Sequence, residues 1–176
     1  MRKTLLVAVA FATAGLGAQD PYEGLWQGYN GEWLHVSRQL VALADAIPAD
    51  NYNWRPGPGV RSVSEVVMHI ALTDFGLLSI TGVKLPTGFT PELEKSVTSK
   101  AEVIDWLKRS LEAVKTARLR VRESDLRRKV GDRNYRGATV DGMYLRILVH
   151  ANEHMGQLVA YARMNGIVPP WSRAGN

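Results

Sequence analysis

The chain holds four histidines, and three of them are spaced as a single metal site would require. His150 and His154 bracket the run Ala151-Asn152-Glu153. On an α-helix, residues four apart stack on one face, so two imidazoles at this spacing can grip one ion. His69 stands far upstream and would have to come from a second helix. A facial set of three histidines with open positions for water or substrate is the arrangement of a catalytic rather than a structural centre. The bland alternative is three hydrogen-bonded core histidines, since a buried imidazole needs either partners or a metal.

Other residues offer weaker chemistry. The same run reads His-x-x-Glu-His, the inverzincin protease pattern, with Glu153 as general base. That mechanism needs a further acidic ligand downstream, and no Asp or Glu follows His154. Glu153 also lies about 100° round the helix from His154, which suits a solvated carboxylate. Thr73, Asp74 and Glu65 each lie about one turn from His69 and could hydrogen-bond it. His35 has polar helical neighbours and reads as exposed. The span 115 to 136 carries nine Lys and Arg against three acids. It reads as a solvated helix end and loop. Its one aromatic, Tyr135, and the lack of a nucleic-acid motif argue against nucleic acid as a partner. The five tryptophans read as core.

Four helices must position these residues. The first is announced by Asp20-Pro21-Tyr22-Glu23, an acid cap with proline at N1 and glutamate at N3, and runs to about Ala46 before Pro48. The second opens on the capping box Ser62 and Glu65 and ends near Gly82. A loop with Pro86, Gly88 and Pro91 leads to a third helix, capped by Ser99 and Glu102 and running to about Arg122. The fourth runs from about Thr139 to Asn165-Gly166, ahead of Pro169-Pro170. On it Met143, Ile147, His150, His154, Leu158 and Tyr161 fall at intervals of three and four, the inward stripe of a bundle helix. Val66 and Leu72 flank His69 in the same way. No period-2 run of useful length predicts a sheet.

The chain divides into residues 1–18 and 19–176. Arg2 and Lys3 form a charged start, Thr4 to Leu16 an apolar stretch too short to span a bilayer, and Gly15, Gly17 and Ala18 supply small residues. The segment reads as a signal peptide cleaved before Gln19, which predicts an exported, periplasmic or secreted, protein. Its loss lowers the formal charge from +5 to +3, since it holds two bases and no acid. That charge is too mild to argue for a polyanionic partner. The absence of cysteine excludes disulfides, thiolate ligands, a cysteine nucleophile and a bacterial lipoprotein. No further segment approaches membrane-spanning length, and 45% hydrophobic with 22% charged residues suits one globular domain.

Three segments carry a family resemblance. They are Arg61-Ser62-Val63-Ser64-Glu65-Val66-Val67-Met68-His69-Ile70, then His150-Ala151-Asn152-Glu153-His154-Met155-Gly156-Gln157-Leu158, and the closing Asn165-Gly166-Ile167-Val168-Pro169-Pro170-Trp171-Ser172. In order and spacing they resemble the DinB-like (YfiT-type) superfamily of four-helix-bundle metalloproteins over nearly all of residues 19–176. The resemblance implies an all-α bundle with His69, His150 and His154 as ligands of a divalent ion, be it zinc, nickel, iron or manganese. It also implies a small-molecule substrate, of which a low-molecular-weight thiol is one kind, since characterised relatives include thiol-dependent transferases and isomerases. A homodimer is one assembly it leaves open. Fold membership does not fix a reaction. Small thiols are chiefly cytosolic, so the export signal raises metal-dependent hydrolysis, or a non-catalytic metal-binding or stress role, against thiol transfer.

Overall fold

A computed structural model describes residues 27–131 and 134–173. The signal-peptide reading and the cap at Asp20 to Glu23 lie outside these residues. Five α-helices occur among them: α1 Gly28–Ala46, α2 Val63–Ile80, α3 Leu93–Ser96, α4 Lys100–Arg120 and α5 Val140–Met164. The four long ones form the expected bundle. There is no named strand among the described residues, only an isolated bridge between Lys129 and Thr139.

Local chemistry sets the helix ends. The Ser62 hydroxyl accepts from the Glu65 amide, and the Glu65 carboxylate accepts in return from the Ser62 amide, which closes the capping box at the start of α2. Thr139 caps α5 by accepting from the Gly142 amide. The box expected at Ser99 and Glu102 does not form: Ser99 has extended backbone but makes no side-chain cap bond. Lys100 anchors this turn instead, donating from Nζ to the carbonyls of Asp45 and Ile47 at the end of α1. A cation there complements the negative end of the α1 dipole. Gly82, just past α2, takes φ 104°, a conformation that side chains disfavour.

Helix α2 is the centre of the molecule. It packs against α4 and α5, while α1 closes the other side of both. This position accounts for a composition that falls outside the sequence-based expectation. Val63–Ile80 is long and apolar enough to cross a membrane, with mean hydropathy 1.5, yet 67% of that window is buried inside the bundle. Its apolarity is that of a helix covered on several sides. The core runs through Val36, Leu40, Met68, Ile70, Leu107, Met143, Ile147 and Leu158, all nearly inaccessible. The sequence predicts loop where the single turn α3 forms, because four residues are too few to show a helical period. It matters because it carries Glu94.

Candidate metal centre

The inward stripes of α2 and α5 bring three imidazoles to one place. His69 Nε2 and His150 Nε2 lie 3.2 Å apart. One ring nitrogen from each of His69, His150 and His154 falls within 4.8 Å of the others. Ring centroids are separated by 5.0 Å for His69 and His150, 4.8 Å for His69 and His154, and 4.5 Å for His150 and His154. Two nitrogens bound at about 2.1 Å to one ion, at right-angled to tetrahedral angles, would sit about 3.0–3.4 Å apart. The 3.2 Å contact meets that range. The widest separation asks for a side-chain adjustment on the order of 1 Å.

Two of the rings are held from behind. Nδ1 of His69 lies 2.8 Å from Oε2 of Glu94, whose Oε1 accepts from Nε of Arg61 at 2.7 Å. Nδ1 of His154 lies 2.8 Å from Oε1 of Gln157, whose Nε2 donates to the Tyr161 hydroxyl at 2.8 Å. Outer partners of this kind orient ligand histidines in metal sites. His150 Nδ1 is buried with no partner among the described residues.

Burial keeps His69 and His150 neutral and basic in the Lewis sense. Burial, then the neighbouring His154 and His69, push His150 down to about 4. Burial also lowers His69, outweighing the Glu94 contact that acts to raise it. Burial would raise Glu94, but Arg61 and His69 outweigh it and hold the carboxyl below its ordinary value. The consistent state is a neutral His69 donating Nδ1–H to an ionised Glu94. The lone pair of His69 then sits on Nε2, facing His150. A second lone pair at 3.2 Å would repel it, so this contact calls for a proton or a cation between the two nitrogens. The donor set fits a borderline divalent ion, and no fourth His, Asp or Glu joins it among the described residues.

The supports expected next to His69 are placed elsewhere. Glu65 is spent on its capping box and on Arg55, at 3.2 Å. Asp74 is fully buried and accepts from the Ser110 hydroxyl at 3.0 Å. Thr73 is half-buried, and no bond to the cluster is seen. Glu94 and Gln157 hold the rings instead. The first is remote in sequence and on a turn read as loop; the second follows His154 by three and could have been found from helical spacing. Glu153 is exposed and paired with Arg146 at 3.3 Å. His35, half-buried on α1, is not part of the cluster. Part of the basic span 115 to 136 is engaged: Lys115 pairs with Glu112, Arg118 lies over Tyr29 and Tyr144, Arg122 pairs with Asp125, and Arg128 donates to the Thr81 carbonyl. Trp33 and Trp106 are buried, whereas Trp54 is partly buried and Trp171 exposed.

Comparison with known proteins gives a consistent picture. The family model described as DinB superfamily matches residues 32–158. A DinB-like protein from Bacillus cereus ATCC 10987, known from its crystal structure, superposes with a TM-score of 0.69. The two are 21% identical, and the match covers 82% of this chain and 95% of that one. At that identity the likeness speaks to the fold. No curated protein matches the chain.

Proposed function

This chain belongs to the DinB superfamily, and we propose that His69, His150 and His154 hold one divalent ion with which it carries out transfer or hydrolysis on a small molecule. The observation that carries this reading is the convergence of three ring nitrogens within 4.8 Å, two of the rings being held by Glu94 and Gln157. Zinc, nickel, iron and manganese are the candidates the family resemblance brings, and three imidazoles suit the first three best. A divalent ion in such a set supplies Lewis acidity, so that water or a thiol bound to it ionises near neutral pH. The residues around it do the rest. Glu94 and Gln157 keep the rings aimed, and the low basicity of His150 keeps its lone pair free of a proton at neutral pH.

The charged start, apolar stretch and small residues of 1–18 support export, and export separates the protein from cytosolic thiols. Hydrolysis by an ionised water is therefore placed ahead of thiol transfer. A second reading, a metal-binding protein without catalysis, is favoured by one observation: Glu94 and Glu153, two carboxylates near the histidines, are paired with Arg61 and Arg146 rather than standing free as a base.

Metal analysis of purified protein, followed by a screen of esters, amides and thiol–electrophile pairs with and without chelator, tests both. Turnover lost on chelation and restored by one metal supports the enzyme. Stoichiometric metal without turnover supports the second reading. Protein that takes up no divalent ion defeats both.

A further inference from the structure

We propose that Tyr161 is a positioning residue that dictates which nitrogen of His154 faces the site, taking its direction from the backbone carbonyl of Arg61. The inference rests on the three-histidine reading above and concerns how that site is kept competent.

A carbonyl oxygen accepts and cannot donate. The Tyr161 hydroxyl lies 3.2 Å from the Arg61 carbonyl, so its proton is given there. What remains on the phenol oxygen is acceptor capacity, and Gln157 Nε2 meets it at 2.8 Å. This fixes the amide: Oε1 must turn toward His154 Nδ1, at 2.8 Å. An oxygen there requires a proton on Nδ1, which leaves the lone pair on Nε2. The amide has nearly the same shape either way round. Reversed, it would present its NH2 to Nδ1, draw the lone pair to that nitrogen and put the proton on Nε2, where it would block ligation. Tyr161 removes that choice.

Arg61 also ends the other support. Its Nε donates to Glu94, which accepts from His69. Glu94 needs no comparable steering, because both carboxylate oxygens accept. Both chains therefore meet at the residue just before the Ser62 cap, so the start of α2 sets two rings on two helices.

The test is a double-mutant cycle on full-length protein. Zinc affinity is measured by competition titration for wild type, Tyr161→Phe, Gln157→Glu and the double variant, with melting curves of the metal-free forms. Phenylalanine keeps the edge contact of the ring with Trp54, at 5.4 Å. Tyr161→Phe should weaken zinc on the order of tenfold. In the Gln157→Glu background a carboxylate accepts in either orientation, so the same change should cost less than about twofold. Unchanged affinity in Tyr161→Phe, or an equal loss in both backgrounds, overturns the proposal, since packing alone would act in both. Should Tyr161→Phe fail to fold, Gln157→Leu takes its place: weakened zinc supports the relay, and wild-type affinity overturns it. Wild type that binds no zinc, nickel, iron or manganese overturns the metal reading itself, a distinct result.

Discussion

Glu94 reaches His69 across 25 residues of chain and sets its Oε2 2.8 Å from the histidine Nδ1. Its second oxygen is held by Arg61 at 2.7 Å, so the carboxylate cannot swing away without losing a charge-assisted bond. The contact fixes the tautomer of His69 and directs its lone pair at His150. A single helical turn, α3, thus supports the site from outside the helices that carry the histidines.

Glu94→Gln should test that support. The amide loses the charge attraction of Arg61 and can present either atom to His69. Zinc affinity is expected to fall between about tenfold and a hundredfold. The metal-free melting point should move little, since a partly exposed ion pair contributes under about 1 kcal/mol. Affinity equal to wild type in competition titration would remove Glu94 from the account.

The bundle and its inward faces were legible in the sequence, because Met143 to Tyr161 and Val66 to Leu72 repeat at helical spacing and Ser62 with Glu65 announces a helix start. The convergence of the histidines was legible for the same reason. What holds them was not. Glu94 lies on a turn of four residues with no period to read, and its meeting with His69 is a matter of tertiary packing. Asp74 illustrates the reverse error. Its spacing from His69 suggested support, but five positions on a helix point it to a different face, where it meets Ser110 on α4.

Asp74 gives a prediction about pH. Burial raises its carboxyl well above the ordinary value, and the Ser110 bond lowers it only in part. One of its oxygens is buried without a partner among the described residues. A group whose folded pKa is raised contributes stability that is fully present below its unfolded pKa and lost as pH rises through the folded one. Wild type should therefore lose stability from above about pH 4 upward through this group. Asp74→Asn lacks the titration, so its stability relative to wild type should improve between about pH 5 and about pH 8. Urea unfolding at the two pH values measures it. A pH-independent difference would contradict the assignment.

Ser62→Ala removes the cap at the start of α2. The expected loss is about 1 kcal/mol in urea unfolding. Because Arg61 is the adjoining residue and ends both supports of the histidines, zinc affinity should fall as well. Full stability loss with untouched zinc affinity would show that the helix start and the site are uncoupled.

Export has its own test. Expressed in an exporting bacterial host, the protein should be recovered outside the cytosol with a mature chain beginning at or near Gln19, as N-terminal sequencing would read. Soluble cytosolic protein retaining Met1 would instead make thiol transfer the favoured chemistry.

The most direct test of the central claim is metal content joined to stability, compared across wild type, His150→Ala, His154→Ala and His35→Ala. An ion that binds only the folded state raises its stability by about 2.7 kcal/mol at a hundredfold excess over Kd. Wild type and His35→Ala should take up one equivalent of a divalent ion and melt higher in its presence. His150→Ala and His154→Ala should show neither effect. Equal metal content and an equal melting shift in all four proteins would contradict the assignment of His69, His150 and His154 as one metal centre.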